Sequence, residues 1–175
     1  MGIFDWLRSA ASAPASGQGD TETVRRIVSE LDRLDPSRAR YLAAFAYVLS
    51  RVANADLHIS DIETDEIVQT LRRVGHLPEE QAILVAEIAK SQNRLFGGTE
   101  NFLVTREFRD IADQAQRREL LDCLFAVSAA DDAVTGAEEG QIWQIASELG
   151  FSHPEYIEAR MKYSNLRTVL RKGSR

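Results

Sequence analysis

The fold of this chain is governed by a stretch that occurs twice. It reads Ala55-Asp56-Leu57-His58-Ile59-Ser60-Asp61-Ile62-Glu63 in the first copy and, 75 positions later and without a gap, Ala130-Asp131-Asp132-Ala133-Val134-Thr135-Gly136-Ala137-Glu138. Each copy follows an apolar helix pattern and precedes a second one, and each second pattern ends at a glycine, Gly75 or Gly150. Repetition at a fixed offset indicates a supersecondary unit used more than once. The sequence therefore predicts a compact domain built from two pseudo-repeated halves, each with an acidic loop.

Helical periodicity extends over most of the chain. Apolar residues recur at spacings of three and four, which is typical of amphipathic helices. Asp35-Pro36 predicts a helix start, because proline suits the first helical position, and this helix should run to about Ala53. Gly97-Gly98 marks the break between the halves, and the alternating patterns of strands are missing. We predict an all-α domain of about seven to eight helices over residues 20–170, with a basic tail over 171–175.

The composition limits the class of protein. The chain has 175 residues, 21 basic and 27 acidic, so its formal net charge is −6. This acidic balance argues against binding of nucleic acid, which requires basic side chains on phosphates. The single Cys123 excludes an intramolecular disulfide and a cysteine-based zinc cluster, and its apolar neighbours favour a buried hydrophobic role. Without a signal-peptide pattern or a long apolar run, the expected location is cytoplasmic.

The N-terminal segment has its own character. Residues 1–19 are predicted to be flexible, since small residues, serine, proline and glycine dominate after Arg8. The first eight residues nevertheless contain four large apolar side chains, which are Ile3, Phe4, Trp6 and Leu7. Two interpretations stay open. The segment either is disordered or folds back onto the domain, or it forms a short amphipathic contact with a membrane surface or a partner.

The acidic stretches have a structural interpretation. In each copy a serine or threonine stands three residues ahead of a glutamate, which matches the capping box at a helix start. These residues are Ser60 with Glu63 and Thr135 with Glu138. The aspartates, Asp56 and Asp131, can stabilise a turn by accepting hydrogen bonds from nearby backbone amides. On this interpretation no ligand is needed to explain the repeat.

A metal site is the alternative interpretation. One loop supplies only two carboxylates, which is few for a tight site, but a pseudo-dyad that brings the loops together would supply four. The predicted ligands are Asp56, Glu63, Asp131 and Glu138. Hard cations such as Mg²⁺, Ca²⁺ or Mn²⁺ prefer oxygen ligands of this kind. An EF-hand is excluded, because a loop that starts at Asp131 would have Ile142 at the place of the bidentate glutamate.

The pattern Ala-Asp-x-x-(Ile/Val)-(Ser/Thr)-x-x-Glu, present twice, resembles the TerB-like domain of tellurite-resistance proteins, which also occurs in DnaJ-like co-chaperones of the DjlA type. The resemblance covers about residues 36–165. It implies an all-helical fold of two related halves and an acidic cluster proposed to bind metal, with the four carboxylates named above as its ligands. The chain departs from the family at Leu57 and Asp132, where a glycine usually follows the aspartate.

No catalytic motif accompanies the repeat. The chain lacks a Gly-x-Ser-x-Gly elbow, a phosphate-binding glycine loop and a His-Glu-x-x-His pair. We therefore expect a non-enzymatic module that binds a divalent cation and acts in stress response or membrane-linked regulation. The alternative is a co-chaperone-type module that binds a protein partner and whose acidic loops are only structural caps. A metal-dependent hydrolase is the third possibility.

Overall fold

The computed structural model describes residues 18–53, 61–91, 101–129 and 136–172. Within these ranges the chain forms eight helices and no strand. The helices are α1 Gln18–Asp32, α2 Pro36–Ala53, α3 Asp61–Arg73, α4 Glu79–Lys90, α5 Asn101–Ile111, α6 Gln114–Ser128, α7 Gly136–Glu148 and α8 His153–Lys172. The predicted all-α class is confirmed. The predicted flexible segment before residue 18 and most of the basic tail lie outside the described residues.

Local sequence signals explain where several helices begin. The Asp35 carboxylate accepts hydrogen bonds from the amides two and three residues further on, at 3.1 and 3.4 Å, and so caps the start of α2. The bounds of this helix, Pro36–Ala53, are those that the sequence predicts. Asp113 and Gln116 form a reciprocal capping box at the start of α6. Ser152 and Glu155 do the same at α8, where hydrogen bonds from Ser152 lower the pKa of the Glu155 carboxyl. These two capping boxes are not among the predicted ones. Ser60 and Thr135, on which the predicted boxes depend, lie outside the described residues.

Helix α2 lies at the centre of the domain. Residues 41–50 are all buried, ten in succession, and α1, α4, α5, α6 and α7 pack against this helix. The ring of Phe108 on α5 lies 5.4 Å from that of Tyr41 and 5.9 Å from that of Phe45. Phe45 and Tyr47 are fully buried in the core. In the part of the chain that the structure describes, no helix is long and apolar enough to cross a membrane.

The helix bounds recur at the offset of the sequence repeat. Adding 75 to the bounds of α3 gives 136–148, which are the bounds of α7. The same addition turns the bounds of α4 into 154–165, a range inside α8, and those of α2 into 111–128, which contains α6. Superposition of the two halves in three dimensions stays a prediction.

The two glycines that end α3 and α7 serve different purposes. Gly150 has φ +90°, a backbone conformation that residues other than glycine rarely adopt. After α3 the left-handed residue is instead the exposed His76, with φ 53°. Gly75 is required for close packing, because a Cβ atom there would lie 2.8 Å from the Leu71 carbonyl oxygen and 3.1 Å from the Cys123 sulfur. Cys123 is fully buried, as predicted, and its burial raises the pKa of the thiol.

We expect Gly75→Ala to lower the free energy of unfolding by about 1 to 3 kcal/mol, since the added methyl group would overpack a closed site. Gly140→Ala is the matched control. A Cβ atom at Gly140 would meet nothing within 4 Å, so this change inside α7 should stabilise the protein by about 0.5 to 1 kcal/mol. Urea denaturation of both variants measures the difference, and similar effects of the two changes would contradict the packing argument.

Candidate functional site

The structure places the predicted metal ligands only in part. Asp56 and Asp131 lie outside the described residues. Glu63 stands in the first turn of α3, but its side chain is outside the described part, whereas Glu138 stands in the first turn of α7 and is half-buried. Among the side chains that are described, no group of three His, Cys, Asp or Glu residues could hold a metal ion. The four-carboxylate site therefore stays a prediction.

We call the two copies of the repeated stretch, residues 55–63 and 130–138, the acidic segments. A hydrogen bond joins the helix before the first segment directly to the helix of the second. The side-chain amide of Gln141 donates a hydrogen bond to the backbone carbonyl of Arg51 at 2.5 Å. Arg51 lies in the last turn of α2, which leads into the first acidic segment, and Gln141 lies in the second turn of α7, which follows the second acidic segment. The start of the first acidic segment and the end of the second are therefore anchored at the same place on the domain.

A buried ion pair reinforces this connection. The Arg51 guanidinium donates to Glu148 at 2.6 Å and to the Thr105 hydroxyl at 2.7 Å, with the Arg51 side chain only 4% exposed and that of Glu148 10% exposed. Burial of two charges is unfavourable unless they satisfy each other, so this pair fixes the relative position of α2, α5 and α7. No local sequence pattern predicts this pair, because its two residues lie 97 positions apart.

Helix periodicity places Glu138 on the face of α7 that contacts Arg51. Gln141 and Glu148 both reach Arg51 from α7, and Glu138 precedes Gln141 by three residues, which places it on the same face of the helix. Glu139 lies on a different face. Its carboxylate pairs with Arg160 on α8 at 2.8 Å. Of the two adjacent glutamates, Glu138 is therefore the one on the α7 face that meets the end of α2.

The described residues form an all-helical domain, and two helices that flank the acidic segments meet at the end of its central helix. The chain matches the family model described as tellurite resistance protein TerB over residues 41–161, well over half of its length. The chain belongs to the TerB family, which confirms the resemblance inferred from the repeat. A relation to DjlA-type co-chaperones stays a prediction. Comparison with curated proteins and with solved structures gave no match.

We expect Arg51→Met to lower the free energy of unfolding by about 3 to 5 kcal/mol, because it leaves Glu148 buried without its partner. Arg26→Met is the matched control, since Arg26 pairs with Glu87 on the surface, where such a pair contributes about 1 kcal/mol or less. In the double variant Arg51→Met, Glu148→Met most of the lost stability should return. Equal losses in Arg51→Met and Arg26→Met, measured by urea denaturation, would contradict this.

Proposed function

We propose that this TerB-family protein is a non-enzymatic module that binds a divalent cation through Asp56, Glu63, Asp131 and Glu138. The observation that carries the proposal is the hydrogen bond from Gln141 to the Arg51 carbonyl. It anchors the start of the first acidic segment and the end of the second at one place. The position of Glu138 on the α7 face that meets the end of α2 supports it further. Membership of the TerB family agrees with a role in stress response of the tellurite-resistance kind, or in membrane-linked regulation.

The chemistry of the proposed site follows from its charges. Carboxylates gathered in one place repel one another, so they need a cation or protons to hold them together. Mg²⁺, Ca²⁺ and Mn²⁺ all accept oxygen ligands, and a bound ion would supply the positive charge that the four carboxylates lack. Because each segment has only two of the ligands, binding would link both halves of the domain. Such a link can alter how the protein contacts a partner without any catalytic step.

The second candidate function is a protein-interaction module with purely structural acidic segments. Two exposed apolar residues favour it. Phe102 and Leu103, in the first turn of α5, are 53% and 54% exposed, although large apolar side chains are usually buried. Neighbouring exposed apolar groups of this kind are common where proteins bind one another.

A thermal-shift titration with Mg²⁺, Ca²⁺ and Mn²⁺ tests the cation proposal. At a hundredfold excess of ion over Kd, binding should stabilise the fold by about 2.7 kcal/mol. For a chain of this size that corresponds to a rise in Tm of about 5 to 10 °C. The double variant Asp56→Asn, Asp131→Asn should lose the rise. Asparagine forms the same turns as aspartate, so this variant removes the charge and keeps the structural role.

Glu139→Gln provides the matched control. It removes an acid adjacent to Glu138 that is already paired with Arg160, and it should leave the cation response unchanged. A wild-type Tm that stays constant at millimolar concentrations of all three ions would overturn the proposal and favour the interaction module. An equal loss of response in Glu139→Gln would show that general surface charge is responsible instead of the four predicted ligands.

A further inference from the structure

A pocket of about 270 Å³ opens between the end of α3, the outer face of α6 and the middle of α8. Val74, Ala159 and Tyr163 contribute apolar surface. Charged side chains of both signs surround them, namely Arg73, His76, Glu119, Asp122 and Lys162. The rim is internally paired, with His76 3.3 Å from Glu119 and Lys162 3.5 Å from Asp122.

The sequence repeat relates this pocket to a surface that is covered elsewhere in the domain. At the offset of 75, Glu119 and Asp122 on α6 correspond to Ala44 and Tyr47 on α2, and Val74 after α3 corresponds to Leu149 after α7. Helix α5 packs on both α2 and α7, and its contacts on α2 involve residues before and after positions 44 and 47. Helix α5 contacts α2 with an ion pair from Glu107 to Arg40, the packing of Phe108 on Tyr41, and the hydrogen bond that Arg51 donates to Thr105.

The covered surface therefore indicates what the pocket can accept. Helix α5 inserts the large apolar side chain of Phe108 and adds the charged group of Glu107 at the edge. Ligand pockets usually measure roughly 300 to 1,000 Å³, whereas a cavity of about 150 Å³ holds benzene. A volume of about 270 Å³ thus suits one large aromatic side chain together with a smaller apolar one.

The N-terminal segment of the chain has this composition. Within Ile3-Phe4-Asp5-Trp6-Leu7-Arg8, four large apolar residues surround one acid and are followed by one base, which matches an apolar pocket with a rim of both signs. Residues 9–17 separate this stretch from α1, and nine extended residues span up to about 30 Å. For a domain with an expected radius of gyration of about 15 Å, that length suffices to reach another face.

We propose that the segment Ile3–Leu7 docks in the pocket formed by α3, α6 and α8, with Trp6 as the main anchor. The segment then lies at the place that corresponds, through the repeat, to the buried surface of Ala44, Tyr47 and Leu149. This inference does not depend on cation binding. It makes the apolar N-terminus an internal ligand of the domain and the pocket a site that a competing apolar segment of a partner can take over.

Tryptophan fluorescence of the full chain tests the docking. The protein contains two tryptophans, Trp6 and Trp143, so Trp143→Phe leaves Trp6 as the only reporter. Docking predicts a blue-shifted Trp6 emission and severalfold weaker quenching by acrylamide than in the same chain in denaturant. Val74→Glu in this background should shift the emission to the red and restore quenching, because it places a carboxylate in the apolar wall.

Phe102→Glu is the matched control, because it puts the same charge on an exposed apolar residue of α5 and should leave Trp6 unchanged. Lys162→Glu alters an exposed rim residue and should increase quenching partially; it replaces Val74→Glu if circular dichroism shows that the latter is unfolded. Solvent-exposed emission of Trp6 with the pocket intact would overturn the proposal. So would a blue shift that needs phosphatidylglycerol vesicles, which indicates a membrane contact, or one that depends on protein concentration, which indicates a second copy.

Discussion

The burial of α2 is the constraint on which the rest of the structure depends. A helix with ten successive buried residues has no polar face, so it is stable only when neighbouring helices cover it all round. The alanines at 43, 44 and 46 allow close approach, and aromatic residues at 41, 45 and 47 fill the space between the helices. The helices α1, α4, α5, α6 and α7 supply the cover, which explains why α2 contacts members of both sequence halves.

Arg51 marks the point where this apolar run ends. Its guanidinium is too buried to be solvated, so the acid Glu148 and the hydroxyl of Thr105 must accompany it. A purely apolar contact between α2 and α7 would allow the two helices to slide along each other, whereas directional hydrogen bonds do not. The position of the chain just before the first acidic segment is therefore defined more sharply than hydrophobic packing alone would define it. The proposed site takes its ligands from two separate segments, so it requires that the relative position of these segments be fixed.

Much of the fold can be predicted from local sequence, and the site much less so. Asp35-Pro36 determines the start of α2 through a cap and a fixed φ, which depend on adjacent residues only. The pairing of Arg51 with Glu148 depends on how α2 and α7 pack, and no local rule contains that information. Gly75 shows an intermediate case. The sequence identifies it correctly as the end of a helix, but the contact with Cys123 that explains it is tertiary.

The two halves share a sequence pattern but not an environment, and this difference bears on function. In the first half, positions 44 and 47 on α2 are alanine and tyrosine, and both are fully buried. The corresponding positions on α6 are Glu119 and Asp122, which are partly exposed and line a pocket. Acids at these positions disfavour complete burial, because removing a charge from water is unfavourable even when it is paired. This face of α6 is therefore not closed in the way the corresponding face of α2 is. The same repeat pattern thus gives one face that is buried in the core and another that lines an open pocket.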